Sequence, residues 1–82
     1  MKAIVYTGPR CVWCERVKTL LKDSGYEVTE KSITDRSLIE EFQNKFNQTL
    51  RTVPRVVIND ELIGGFQETE AKIQGLMSIN GI

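Results

Sequence analysis

The residue pattern predicts an α/β fold in which a four-stranded mixed sheet is flanked by three helices, in the order β-α-β-α-β-β-α. Three observations predict it. In the first half, short β-prone runs alternate with segments of helical period, the pattern of a βαβ unit with parallel strands and a right-handed crossover. In the second half, two β-prone runs are separated only by Asn59-Asp60, which predicts an antiparallel hairpin. A last helical segment follows Gly64-Gly65. With 82 residues there is room for one domain, spanning 1–82, with a single compact core.

The elements follow in chain order. Ile4-Val5-Tyr6 is a strand ending at the turn signal Thr7-Gly8-Pro9. From Cys11 to about Asp23 the period becomes helical: Cys14, Val17 and Leu21 share a face with Leu20 beside them. Ser24-Gly25 stops this helix, with Gly25 suited to the left-handed position beyond its end. Tyr26 to Lys31 reads as a second strand, polar enough to be an edge. Thr34 or Asp35 caps a second helix with apolar positions Leu38, Ile39, Phe42 and Phe46, and Glu41 and Lys45 are spaced to pair on its wet side. Val53 to Ile58 is the most β-prone run, with Pro54 tolerated at its beginning. Glu61-Leu62-Ile63 completes the hairpin and Gly64-Gly65 breaks it. Phe66 to Ile79 is a last helix with Ile73, Leu76 and Met77 on one face, weakened by Gly75.

Composition narrows the chemistry. Hydrophobic residues make up 40% and charged residues 27%, an ordinary globular balance. Eleven positive and eleven negative side chains leave no basic footprint for nucleic acid and no polybasic segment for anionic lipid. No run of about 18 apolar residues exists to span a membrane. The opening residues are too short an apolar run for a signal peptide and read better as a strand, so the expected setting is cytoplasmic and reducing. Two cysteines are too few for a small secreted disulfide scaffold. A structural zinc site needs about four ligands, and the chain has no histidine and no second cysteine pair. No metal is therefore expected, and redox chemistry is the leading reading of Cys11 and Cys14.

Their placement supports it. Cys11 lies where a strand hands over to a helix, and the first N–H groups of a helix are unpaired and carry the positive end of its dipole. A thiolate there would accept those donors, so Cys11 should ionise more readily than free cysteine, helped by Arg10 and by Arg16. Residues three apart on a helix have Cα atoms roughly 5–6 Å apart, within disulfide range. Cys14, one turn on and facing inward, would resolve what an exposed Cys11 attacks.

Three separated elements, Cys11-Val12-Trp13-Cys14, Thr52-Val53-Pro54 and Gly64-Gly65, resemble the glutaredoxin family over nearly the whole chain. The resemblance implies a thioredoxin-like fold and a dithiol oxidoreductase that reduces protein disulfides and protein–glutathione mixed disulfides. Glutathione would be its reducing co-substrate, with no bound cofactor. It implies a cis bond before Pro54, which brings Val53 beside Cys11 and leaves the Val53 backbone free to pair with an extended peptide. The γ-glutamyl carboxylate would dock on the backbone of Phe66 and Gln67 beyond Gly65, with the side chains of Gln67 and Glu68 flanking its ammonium. Arg51, with Arg10 as second choice, would meet the glycyl carboxylate, and Trp13 would flank the groove. Partners would be glutathione and disulfide-bearing proteins, ribonucleotide reductase among them, served by a monomer. Many family members carry proline where this chain has Val12 and tyrosine where it has Trp13. Two rival readings keep the fold: a redoxin reduced by thioredoxin reductase, against which Arg51 and Gly64-Gly65 argue, and a carrier of an iron–sulfur cluster between two subunits.

Overall fold

Strand β1 (Lys2–Thr7), helix α1 (Val12–Asp23) and strand β2 (Glu27–Ser32) form the opening βαβ unit. Helix α2 (Arg36–Phe46), the hairpin β3 (Arg55–Ile58) and β4 (Glu61–Gly64), and helix α3 (Phe66–Gly81) complete the chain. The computed structural model describes residues 1–81, with side chains described as far as Gly75. The strand order is β2-β1-β3-β4, with β1 parallel to β2, β1 antiparallel to β3, and β3 antiparallel to β4. This is the mixed, three-helix sheet that the sequence predicts, with the polar β2 at an edge.

Each central strand is buried on both faces, so alternate side chains feed two separate cores. Ala3, Val5, Val56 and Ile58 pack with Val17 and Leu21 of α1, with Tyr26 in the turn that follows α1, and with Ile73 of α3. Tyr6 and Val57 pack on the opposite face with Phe42 of α2, whose ring meets Tyr6 edge-on at 5.1 Å. Cys14, Val17 and Leu21 are the buried positions of α1, in agreement with their spacing. Leu76 and Met77, expected on the apolar face of α3, lie outside the described side chains.

The turns follow their residue types. At the end of α1, Tyr26 N–H donates to the Leu21 carbonyl at 2.9 Å and Gly25 N–H to the Lys22 carbonyl at 3.1 Å. Gly25 sits at φ +89°, so the helix closes in a Schellman motif. Asp35 proves to be the cap of α2, its carboxylate accepting the Ser37 N–H at 3.0 Å. Asn59 and Asp60 both adopt positive φ, 53° and 64°, as a tight hairpin turn matched to strand twist requires.

Three expectations are corrected. Strand β3 begins at Arg55, so Val53 and Pro54 precede it as a connecting segment. The single core expected is instead two clusters, one on each face of the sheet; Gly64-Gly65 does end β4, with Gly64 its last residue, paired with Val56 across an irregularity at φ +129°, a conformation open to glycine. The Glu41–Lys45 pair does not form. Glu41 instead meets Lys31 of β2 at 2.9 Å and Lys45 meets Asp60 of the hairpin turn at 2.7 Å. Partners on neighbouring elements lie within reach of both side chains, so the charges tie α2 to the sheet.

A further network ties the end of β1 to its surroundings. The buried Thr7 hydroxyl donates to Glu30 Oε2 at 2.9 Å, and Lys18 Nζ bridges Glu30 and Glu15, each at 3.0 Å. The Lys18 ammonium, and then the Thr7 hydroxyl, hold the Glu30 carboxyl below the usual carboxylate range. A depressed carboxyl stabilises the fold above its ordinary value of about 4.3, and that contribution is lost as the pH falls through the folded-state value. Glu30 is about half exposed, so the pair is screened. Glu30→Gln should cost about 0.5 kcal/mol at neutral pH, a fall of about 2–4 °C in Tm. The gap from wild type should close in acid; thermal melts showing a gap that persists unchanged below about pH 3 would contradict the assignment.

Candidate active site

Strand β1 runs out at Thr7 and the chain turns through Gly8, Pro9 and Arg10, the last at a left-handed φ of 56°. Cys11 then takes up extended backbone angles as the N-cap of α1. Its Sγ accepts the Cys14 N–H at 3.1 Å, so a sulfur stands where serine or aspartate usually satisfies the first turn. Cys11 is partly exposed, whereas Cys14 is buried beside Val17 and Leu21. The two are joined as a disulfide with Cα atoms 5.2 Å apart, the separation anticipated for residues one turn apart.

The segment between α2 and β3 closes on this sulfur from the other side. The Val53–Pro54 bond is cis, and the Val53 carbonyl oxygen lies 3.9 Å from Cys11 Sγ. From Val53 a groove of about 350 Å³ runs to the start of α3. Thr52 to Arg55 contribute one side of it, Gly65 to Glu68 another, and Trp13 a third. The Trp13 ring is half exposed, lies 5.1 Å from the Phe66 ring, and has the Arg16 guanidinium stacked 4.8 Å above it. Arg16, expected to support Cys11, is thus engaged as a brace for Trp13.

Helix α3 starts with its own carboxylate cap. Gly65 N–H donates to Glu68 Oε1 at 2.7 Å, while the Gly65 carbonyl accepts the buried Thr69 hydroxyl at 2.8 Å. A Cβ at Gly65 would sit 3.3 Å from Glu68 Oε1 and 3.4 Å from Arg55 Nη1, so the residue is glycine where two charged groups converge.

Of the residues singled out in the sequence, Trp13, Thr52, Val53, Pro54, Gly65, Phe66 and Gln67 come together in this groove. Cys11 lies beside it, in a shallow hollow with Gly8, Arg10, Val12 and Glu15, and meets the groove through Val53. Arg51 is exposed and lies outside the groove lining. Arg55 was not anticipated: it is half-buried, lines the groove, and donates from Nη2 to Thr52 Oγ1 at 2.6 Å. Its position directly after Thr52-Val53-Pro54 is the signal that could have found it.

The glutaredoxin family model matches residues 3–63. The chain belongs to the glutaredoxin family. It is 30% identical to glutaredoxin-1 of chicken, Gallus gallus, across 92% of this chain and 76% of that protein. Among solved structures it superposes on glutaredoxin 1 of Francisella tularensis, determined with cacodylate, at a TM-score of 0.72 and 29% identity, covering 94% of this chain and 96% of that one. A buckwheat glutaredoxin solved as its glutathione complex superposes at a TM-score of 0.71 and 25% identity, over 89% of this chain and 68% of the other. Family, thioredoxin-like fold and the Cys11–Cys14 pair together make the chain a thiol–disulfide oxidoreductase.

The geometry separates the two sulfurs once they are reduced. Cys11 is open to solvent with a helix N–H aimed at its sulfur, a setting that favours thiolate, whereas Cys14 is closed off by the core. Iodoacetamide at neutral pH should therefore modify Cys11 at least about tenfold faster than Cys14, as read by peptide mass spectrometry. Equal labelling, or labelling of Cys14 first, would contradict the placement.

Proposed function

We propose that the chain is a glutathione-dependent reductase of protein disulfides and protein–glutathione mixed disulfides, with Cys11 as nucleophile and Cys14 as resolving thiol. The observation that carries this reading is the groove, which begins at a carbonyl oxygen 3.9 Å from Cys11 Sγ and ends at the start of α3. A short extended peptide laid along it can put its own sulfur at Cys11, pair with the Val53 backbone, and reach the first turn of α3 with its far end. Glutathione has this form, and the similarity to a glutaredoxin solved with glutathione supports it.

The steps balance as two-electron exchanges. The Cys11 thiolate attacks one sulfur of a substrate disulfide, forming Cys11–S–S–R and releasing the other sulfur as a thiolate. Cys14 displaces the second product sulfur, leaving the Cys11–Cys14 disulfide. A glutathione thiolate attacks Cys11 Sγ, so that Cys14 departs as thiolate and Cys11 carries glutathione. A second glutathione thiolate attacks the bound glutathione sulfur, releasing glutathione disulfide and the Cys11 thiolate. Two glutathiones supply the two electrons; the protons that they and Cys14 give up on attack pass through water to the two product thiolates and back to Cys14, and Cys11 leaves as the thiolate that begins the next turn. When the substrate is a protein–glutathione mixed disulfide, Cys11 takes the glutathione directly and Cys14 is not needed. Leaving-group stability at Cys11 sets the pace, and the helix-capping N–H of Cys14 lowers the barrier for that departure. The cycle turns only where glutathione is kept reduced, so the reading belongs to a reducing compartment.

Glutathione-dependent reduction of a small mixed disulfide, coupled to NADPH and glutathione reductase, tests the assignment. Cys11→Ser should lose activity by at least about a thousandfold, while Cys14→Ser should keep at least about a third. Wild-type protein that turns over with thioredoxin reductase but not with glutathione would reject the reading.

A further inference from the structure

A second groove runs along the outer side of α1. Val12, Glu15, Arg16, Thr19, Leu20 and Asp23 recur at helical spacing and form one stripe over the length of the helix. With Phe66 of α3 beside it, the stripe lines a trough of about 440 Å³, to which Val12, Leu20 and Phe66 give an apolar surface. The Trp13 ring lines the first groove and is stacked on Arg16, which lines the second, so the two grooves share a wall.

The trough also reaches the reactive sulfur. Val12 and Glu15 line the hollow that holds Cys11 as well, so one surface runs from Cys11 to Asp23, about 18 Å along the helix axis. Val12 is 62% exposed, and with Trp13 it makes two of the three large apolar side chains exposed among the described residues. An apolar pair left open beside the sulfur adds little to the core and marks a contact surface. The charges of the trough are uneven. Arg16 is drawn onto the Trp13 ring, and Glu15 shares Lys18 with Glu30. Asp23 is exposed and has no cation within 4 Å among the described residues, so the end away from Cys11 is acidic.

We propose that this trough seats the polypeptide of a substrate protein on one side of its reactive cysteine, and favours an apolar residue near that cysteine with a lysine or arginine about five residues away, the number an extended chain needs to reach Asp23; this rests on the glutathione reading above and names the substrate class of the same site. The glutathione half of a mixed disulfide then lies in the first groove and the protein half along α1, with Trp13 between them. The Cys11 thiolate attacks the glutathione sulfur, the bond between the two substrate sulfurs breaks, and the protein thiolate leaves on the Val12 side and takes a proton from water.

The test is kcat/KM for glutathione-dependent reduction of glutathionylated peptides, coupled to NADPH and glutathione reductase at low salt. The probe peptide has one glutathionylated cysteine, with leucine two residues and lysine five residues away on both sides, so that either chain direction is served. One companion replaces both lysines by glutamate, and another replaces both leucines by serine. The mixed disulfide of free cysteine with glutathione, which has no flanking chain, is the reference substrate. Wild type should reduce the probe about three- to tenfold faster than either companion. Asp23→Lys should reverse the order of the lysine and glutamate peptides while leaving the reference substrate within about twofold. Asp23→Asn should abolish the charge preference, and it carries the test if the lysine variant does not fold.

Wild type that turns over the reference substrate but reduces all three peptides alike would overturn the proposal and leave the glutathione reading standing. A lysine preference that survives both Asp23 variants, or a serine peptide reduced as fast as the probe, would overturn it too. A second copy of this chain in the trough, seen as a dimer in sedimentation that Asp23→Lys dissociates, would likewise overturn it. Wild type that fails to turn over the reference substrate with glutathione would bring down both readings.

Discussion

The antiparallel pairing of β1 with β3 is the constraint on which the site depends. Tyr6 lies opposite Arg55 and Val5 opposite Val56, so the end of β1 and the beginning of β3 share one edge of the sheet. The chain that leaves β1 reaches Cys11, and the chain that enters β3 comes from Val53 and Pro54. Two segments 42 residues apart are thereby brought to one sulfur. The hairpin extends the same logic, because Gly64 pairs with Val56 and delivers the first turn of α3 to the same edge. The pairing is held in register by burial on both faces. A slip of one residue would exchange Val56, which packs against α1 and α3, with Val57, which packs against α2, and expose neither strand to water in compensation.

Around that edge the site is largely backbone. The Cys14 N–H, the Val53 carbonyl and the Gly65 peptide are positioned by helix starts and a connecting segment, and their geometry does not depend on rotamers. Side chains supply what backbone cannot: the sulfurs, the aromatic face of Trp13 and the charges of Arg55 and Glu68. Trp13 is half exposed yet fixed between Phe66 and the Arg16 guanidinium, so an apolar surface is presented beside the disulfide at little further loss of side-chain freedom.

The order of elements and the edge position of β2 were legible because each rests on local period or on composition; the division of the expected single core into two, one on each face of the central strands, was not. The cysteine pair was legible for a similar reason, since the spacing of Cys11 and Cys14 at a strand-to-helix boundary is a local fact. Contacts made by long polar side chains were not. Glu41 and Lys45 are correctly spaced for each other, but Lys31 and Asp60, neighbours only in the folded chain, take them both. Arg55 went unremarked on the same ground: its side chain folds back onto Thr52 and lines the groove, a placement that only the folded chain shows. Gly64 reads as a breaker and β4 does end there, but the φ of +129° that sets it against Val56 has no mark in the sequence beyond the glycine itself.

That the sulfur of Cys11 caps α1 joins two properties usually measured apart. A thiolate is a stronger acceptor for a helix N–H than a disulfide sulfur, so reduction strengthens the cap and reoxidation weakens it. Folding and reduction form a closed thermodynamic cycle. The free energy by which the native helix prefers the dithiol must equal the free energy by which folding makes the disulfide a better oxidant than it is in the unfolded chain. The first turn of α1 is therefore a transducer: whatever changes the strength of that one cap, an altered residue between the cysteines included, moves conformational stability and electron affinity together.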